Sequence, residues 1–228
     1  MRFPTIAQWL LLPKSCVLCQ ISFDNGCMLC DACWALLHPI THACDVCCLP
    51  LEQSAFNVCG HCIKRPPAFD KVYCHYQLDS VLRTLIHEFK YQRGLYLQTL
   101  LASLMLKAKP PLTNTCLIPV PLHPHKFYLR GFNQTMVLAK RLSRITKLPL
   151  LMHACSKIKN TKAQTLLTRQ ARQTNLNKAF SVRSVPFAHI ILVDDILTTG
   201  STAHQLALLF KQQGVQFVDV WCIARTSF

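Results

Sequence analysis

Acidic residues are scarce in this chain. Ten Asp and Glu stand against 25 Lys and Arg in 228 residues, a formal net charge of +15. Between Glu88 and Asp194 no carboxylate occurs in 105 consecutive residues, while 17 Lys and Arg do. So basic a balance points to polyanionic partners, either nucleic acid or phosphorylated ligands. Long apolar runs are missing as well. The longest candidate near the start, residues 6–12, stops at Pro13-Lys14, short of the roughly 18–20 residues that span a bilayer. It is also too short for the apolar core of an export signal and no small-residue cleavage site follows it, so the expected compartment is the cytoplasm. Apolar residues themselves are plentiful: 51% of the chain is hydrophobic and the mean hydropathy is +0.23. That excludes disorder as the main state, and the length suits one ordinary domain with a small module attached.

Fourteen cysteines need a use. With no export signal, metal binding is favoured over a disulfide framework. Ten of them lie in residues 1–62, a segment with two basic and four acidic residues; residues 63–228 carry 23 basic and six acidic residues. Two modules with different chemistry are expected, 1–65 and 66–228. The boundary falls at Pro66-Pro67, where proline restricts its own φ and disfavours helix before it.

The cysteines of the first module form four Cys-x-x-Cys pairs: Cys16/Cys19, Cys30/Cys33, Cys44/Cys47 and Cys59/Cys62, separated by ten, ten and eleven residues. Two thiolates three apart on a tight knuckle grip one face of a tetrahedral zinc ion, and a second knuckle supplies the other two ligands. Eight cysteines make two such sites. A redox role suits a single pair better than four regularly spaced ones without a nearby βαβ pattern. Sequential and interleaved pairings use the same residues. Sequential ribbons, 16/19 with 30/33 and 44/47 with 59/62, are favoured because short hairpins close at lower entropic cost. Cys27 and Cys48 fall outside the pattern and read as spare thiols, although Cys27 is spaced to replace a ligand. Four thiolates leave zinc no open position, so the sites are structural.

After the prolines, helical spacing predicts helices over residues 79–92, 95–107, 134–144 and 202–213, and β-rich runs cover 116–120, 148–152, 189–193 and 215–223. Strand and helix alternating in this way predict an α/β fold with a largely parallel sheet. The isolated Cys74, Cys116, Cys155 and Cys222 are expected to be buried as small apolar groups.

The most informative run is Ile190-Ile191-Leu192-Val193-Asp194-Asp195-Ile196-Leu197-Thr198-Thr199-Gly200-Ser201-Thr202. A buried strand ends in two carboxylates, at the end that faces the ligand crevice in open α/β sheets. Small hydroxyl residues around Gly200 then lead into a helix, so that backbone N–H groups, hydroxyls and the helix N-terminus can converge on a phosphate. Two acids beside a phosphate cradle would repel a bare phosphate. A ribose diol meets that difficulty, since its hydroxyls donate to the carboxylates while the loop holds the 5′-phosphate, and Mg2+ can offset the remaining charge. Residues 157–172 add Lys157, Lys159, Lys162, Arg169 and Arg172 among Gln, Thr and Asn. They make a poor core and a good anion-binding loop to close over a pyrophosphate.

This run resembles the phosphoribosyl pyrophosphate (PRPP) motif of type I phosphoribosyltransferases, long and without gaps. Upstream, Ile118-Pro119-Val120-Pro121-Leu122-His123 resembles the strand and pyrophosphate loop of amidophosphoribosyltransferase-like members. Arg130-Gly131-Phe132-Asn133-Gln134 follows as in the ComF family of competence-associated proteins, and Lys157, Lys159, Gln164, Leu167, Arg169, Arg172, Asn175 and Ala179-Phe180 match the segment that this family places between the two loops. Four cysteine knuckles, Pro66-Pro67-Ala68-Phe69-Asp70 and Ile86-His87-Glu88-Phe89-Lys90-Tyr91 complete a ComF/GntX-type pattern over nearly the whole chain. Cys48 departs from it, standing where the pattern leads one to expect a glycine.

The resemblance implies a type I phosphoribosyltransferase fold, a largely parallel sheet flanked by helices, with an N-terminal double zinc ribbon. It implies that Thr198, Thr199, Gly200, Ser201 and Thr202 hold the 5′-phosphate and that Asp194 and Asp195 bind the ribose hydroxyls, one of them able to take a proton from a nucleophile. Pro121, Leu122 and His123 would form the pyrophosphate loop, with Lys157 or Arg169 near the leaving group, whose electrostatic stabilisation is the main catalytic contribution available. The cofactors implied are two structural Zn2+ ions and Mg2+ with PRPP.

Two functions follow. One is a PRPP-binding protein of natural transformation that handles imported single-stranded DNA at the inner membrane, with competence proteins such as a DNA-uptake helicase or a recombination mediator as partners. Phe127, Tyr128 and Phe132, interleaved with Lys126 and Arg130, could stack bases or pack in the core. The other is an active transferase with an unidentified acceptor. A nucleic-acid adaptor read by the ribbons themselves is disfavoured by their net negative module.

Overall fold

The computed structural model describes residues 14–23, 28–52, 56–91, 94–158 and 179–227. Its cysteine-rich segment repeats one pattern twice. In the first copy, β1 (Lys14–Ser15) pairs antiparallel with β2 (Ser22–Phe23). The Cys16 N–H donates to the Ile21 carbonyl at 2.9 Å and the Gln20 N–H to the Cys16 carbonyl at 2.8 Å. In the second, the Cys44 N–H donates to the Leu49 carbonyl and the Cys48 N–H to the Cys44 carbonyl, both at 2.9 Å. Each copy then enters a short helix directly after its third cysteine, α1 (Asp31–Ala35) after Cys30 and α2 (Gly60–Lys64) after Cys59. The residue closing each knuckle is left-handed, with φ of 60° at Gln20 and 54° at Cys48. That conformation is the physical reason a glycine is expected there, since a side chain in it costs roughly 1 kcal/mol. Cys48 sends its thiol to the Cys74 carbonyl at 3.2 Å.

The rest of the chain runs β3 (Lys71–Tyr73), β4 (Tyr76–Gln77), α3 (Ser80–Tyr91), a 3-10 turn (Gly94–Leu97), α4 (Gln98–Met105), β5 (Thr115–Pro119), α5 (Pro124–Arg130), α6 (Gln134–Thr146), the antiparallel hairpin of β6 (Cys155–Lys157) and β7 (Phe180–Val182), β8 (His189–Val193), β9 (Ile196–Leu197), α7 (Ser201–Gln212), β10 (Phe217–Trp221) and β11 (Ala224–Arg225). The expected α/β architecture is observed. The main sheet has the order β3-β10-β8-β5 and every pairing in it is parallel. A second parallel sheet, β4-β11-β9, continues three of these strands after a two-residue break in each. The break in the β8 to β9 strand is Asp194-Asp195. Two expectations change in detail. The second helix begins as a 3-10 turn. Residues 148–152 make a single bridge, Leu117 to Leu150, because the neighbouring Pro149 has no N–H with which to extend a ladder.

The sheet lies between two apolar layers, and the period-2 alternation of its strands decides which residue serves which. Ile190 and Leu192 of β8, with Cys116 and Ile118 of β5, join Phe69, Ala207 and Phe210 on the α7 side. Ile191 and Val193, with Leu117 and Trp221, join Leu85, Phe89, Leu101 and Leu142 on the side of α3, α4 and α6. The ribbons are divided between the layers: Cys44, Cys47, Cys59 and Cys62 belong to the first, Cys16, Leu29, Cys33 and Leu37 to the second.

Candidate functional site

Asp194 and Asp195 stand where β8 leaves the main sheet. The Asp194 N–H donates to the Trp221 carbonyl and the Ile223 N–H to the Asp195 carbonyl, both at 3.0 Å, which ties the pair to the strand beside it. Asp194 Oδ1 accepts from the Asp195 N–H at 2.8 Å. Asp195 Oδ1 accepts from the Ile196 N–H at 2.7 Å, and its Oδ2 lies 2.7 Å from Lys90 Nζ. Burial, and after it the adjacent Asp195 charge, raise the Asp194 carboxyl to about 7 against the opposing pull of the Asp195 N–H and Lys90. A carboxyl that exchanges its proton near neutral pH suits acid–base work.

The hydroxyl-rich turn follows as expected. Gly200 is left-handed, with φ 74° and ψ 3°, and stands at the N-cap of α7. Phe69 packs 3.4 Å from where a Cβ would lie. Thr199 Oγ1 and Ser201 Oγ are 2.8 Å apart. Thr198, Thr199 and Ser201 are exposed and Thr202 is half-buried, so the loop presents its hydroxyls at the surface. Beneath it the buried Arg225 donates from Nη1 to the carbonyls of Leu197, at 3.0 Å, and Thr198. Its Nε donates to the Cys47 carbonyl at 3.0 Å. A cleft of about 730 Å³ runs from Thr199 and Ser201 along His204 to Arg65 beside α2.

Residues Pro121, Leu122 and His123 leave the end of β5 half-buried. The Val120 N–H donates to the Val193 carbonyl at 2.9 Å, which brings this segment alongside the acid pair. The Thr135 hydroxyl at the start of α6 donates to the Val120 carbonyl at 2.6 Å. Arg130 lies 4.6 Å over the Tyr91 ring and donates to Gln134 Oε1 at 3.1 Å. Lys157 is on the hairpin at the edge of β5, with Nζ 5.2 Å from the Phe180 centroid; Cys155 two residues earlier donates to the Pro119 carbonyl at 3.5 Å. Arg169 lies outside the described residues, as do Lys159, Lys162, Arg172 and Cys27. Of the aromatics, Phe127 and Tyr128 are exposed, whereas Phe132 packs edge-on to Phe89 with centroids 5.8 Å apart. The isolated Cys74, Cys116, Cys155 and Cys222 are buried, as expected.

The clustered thiols gather sequentially, Cys16, Cys19, Cys30 and Cys33 in one group and Cys44, Cys47, Cys59 and Cys62 in the other, all Sγ atoms of a group within 4.8 Å of one another. Cys19 and Cys30 are 3.7 Å apart, as are Cys47 and Cys59. A tetrahedron with Zn–S bonds of about 2.3 Å has edges of about 3.8 Å, so both groups fit zinc. The electrostatics agree. Cys16 and Cys44 are buried, which opposes ionisation, yet backbone N–H donors bring them down to about 6 and about 7. Burial and the adjacent thiols push Cys33 to about 12, and burial chiefly takes Cys47 to about 11. Four thiolates in one group require a cation.

Residues 7–63 match the family model of the double zinc ribbon domain. Competence protein F of Haemophilus influenzae is 32% identical over 212 residues, covering 88% of this chain and 91% of that protein. The chain belongs to the ComF family. DNA utilization protein YhgH of Escherichia coli is 30% identical over 226 residues, 95% and 99% of the two chains. Competence protein ComFC of Bacillus subtilis is 28% identical over 198 residues, 82% and 79%.

Within this ComF-family chain, sequence reasoning gave no role to Lys90 or Arg225. Both act across long separations; Lys90 lies in the Ile86 to Tyr91 run that matches the family pattern, but nothing local shows its carboxylate partner, and Arg225 lies in no matched motif. Lys90 also bears on magnesium. Mg2+ demands a near-octahedral oxygen set at 2.0–2.1 Å, but three of the four carboxylate oxygens of the pair already accept from N–H or ammonium groups. The pair is a poor seat for a resident magnesium ion, which would have to displace the Lys90 ammonium or rest on Asp194 Oδ2, the one carboxylate oxygen that meets no donor among the described residues. Among the described residues, no helix is long and apolar enough to cross a membrane.

Proposed function

We propose that this protein binds PRPP, with the ribose diol on Asp194 and Asp195 and the 5′-phosphate on residues 198–202, and that it serves natural transformation by handling imported single-stranded DNA. The observation that carries the PRPP reading is the acid pair in the strand break, followed five residues later by the left-handed Gly200 at the N-terminus of α7. Carboxylates suited to hydroxyls and N–H groups suited to a phosphate then follow one another from the C-terminal end of β8. The names of the relatives, two competence proteins and a DNA utilization protein, support the second half. So do the net charge of +15 and the exposed Phe127 and Tyr128, 50% and 87% accessible. Phosphate contacts and base stacking are what sequence-tolerant strand binding requires. The partners proposed are PRPP, single-stranded DNA and competence proteins such as an uptake helicase or a recombination mediator, met in the cytoplasm or at the inner membrane. Residues 1–65 serve as the metal-bound unit and 66–228 as the ligand-binding one, with Pro121, Leu122, His123, Lys157 and Arg169 toward the pyrophosphate.

Titration calorimetry with PRPP tests the site. The wild-type protein is expected to give heat and the Asp194→Asn/Asp195→Asn variant none; a silent wild type would sink the reading. Strand affinity is expected to fall steeply with salt and by about tenfold in Phe127→Ala/Tyr128→Ala. Undetectable or salt-insensitive binding would remove the DNA role.

A second reading, an active transferase, is favoured by the Asp194 carboxyl near 7, poised to accept a proton from a nucleophile. Pyrophosphate release on adding candidate acceptors distinguishes it from binding alone.

A further inference from the structure

The acid pair carries its own counterion. We propose that Lys90 is the resident cation of this site, so that it takes a sugar-phosphate diol without a divalent metal on Asp194 or Asp195. The inference rests on the ribose reading given above and goes beyond it, by assigning a residue and removing a cofactor.

Lys90 is the penultimate residue of α3, where the helix C-terminus favours a positive charge. Its side chain is 17% accessible and that of Asp195 12%, so their 2.7 Å contact is largely out of water. Such a pair is screened little by salt. The flanking residues hold the lysine in place: Phe89 packs on Phe132, and Tyr91 lies under Arg130. A magnesium ion on Asp195 would have to displace an ammonium group anchored by these contacts, beside an Oδ1 that already accepts from the Ile196 N–H. A neutral hydroxyl faces no such barrier. Among the described residues no donor meets Asp194 Oδ2, which leaves an acceptor for a diol proton beside a pair whose charge is already balanced. Any magnesium would arrive on the pyrophosphate of the ligand.

Two measurements on the zinc-loaded full chain test this, in chelator-free buffer at fixed ionic strength. The first uses Mg2+ alone. Ten millimolar Mg2+ is expected to leave the wild-type Tm within about 1 °C, and to raise that of Lys90→Met by about 3–5 °C, the effect of a roughly millimolar site filled at tenfold excess. Equal stabilisation of both proteins would overturn the proposal, as would a response confined to the wild type. The second uses ribose 5-phosphate, which has the diol and the phosphate but no pyrophosphate. Wild-type affinity is expected to change less than about twofold with Mg2+, whereas Lys90→Met binds at least tenfold more weakly without Mg2+ and recovers with it. A tenfold Mg2+ requirement in the wild type would overturn the proposal without recourse to any variant. If ribose 5-phosphate binds neither protein under either condition, the ribose reading itself fails, and the metal-only result still decides whether Lys90 stands in place of a cation.

Discussion

Arg225 Nε donates to the carbonyl oxygen of Cys47 at 3.0 Å, and its Nη1 holds the carbonyls of Leu197 and Thr198. One buried guanidinium thus joins a knuckle of the second ribbon to the loop before Gly200. Lysine cannot reproduce that fork. Arg225→Lys strands at least one buried carbonyl and is expected to cost about 2–4 kcal/mol, read as a fall in Tm of roughly 5–10 °C, with weaker PRPP binding. A melt within 1 °C of wild type would show that the clamp holds nothing.

Metal content should divide by ribbon. Elemental analysis of the purified protein is expected to give two zinc ions per chain, and one after Cys16→Ser/Cys19→Ser or Cys44→Ser/Cys47→Ser. Cys48→Ser should keep both, since its thiol points to the Cys74 carbonyl and not into the cluster. Because Arg225 spans from the second ribbon to the loop before Gly200, the Cys44/Cys47 variant should lose more PRPP affinity than the Cys16/Cys19 variant.

Gly200→Ala places a methyl group on a residue at φ 74° with Phe69 3.4 Å away. The left-handed backbone then costs about 1–2 kcal/mol, and relaxing it turns N–H groups of the loop away from a bound phosphate. Urea unfolding should report the modest loss of stability, and calorimetry a loss of PRPP affinity of at least tenfold. Full affinity would mean that the loop does not hold the phosphate.

Asp194 sets a pH dependence of stability. Its folded carboxyl is raised to about 7, so the folded state holds a proton that the unfolded chain releases near pH 4. The stabilisation linked to that proton is fully present below about pH 4 and is lost as the pH rises through 7. Asp194→Asn removes this dependence. Relative to wild type it should gain stability between pH 5 and pH 8, on the order of 2 kcal/mol, in chemical denaturation series at the two pH values. An equal difference at both would count against a raised carboxyl.

What the sequence made legible was local. Four apolar residues before two acids mark β8 and its end, because a buried strand must be continuous. Two thiols three apart mark a knuckle, because the backbone between them has one compact way to turn. Near-uniform spacing allowed either pairing of the ribbons, and the sequential one, favoured by closure entropy, is the one the structure shows. Contacts between distant residues were not legible. Lys90 reaches Asp195 across 105 residues, and Arg225 reaches Cys47 across 178. A lysine in an amphipathic helix, like an arginine near a C-terminus, looks the same in the sequence whether it faces water or a carboxylate. Phe132 shows the same limit, since its alternation with basic residues suited either fate and packing against Phe89 decided it.

The division of the ribbons between the two faces of the sheet ties both apolar layers to a cysteine cluster that fits zinc, so zinc supply is expected to bear on the stability of the whole chain. The thiols of one short segment take part in both layers, one cluster in each. Under zinc starvation each face is expected to lose the packing of its ribbon. The proposed ligand site, at the C-terminal end of β8 between the two layers, would then be weakened with none of its own residues changed.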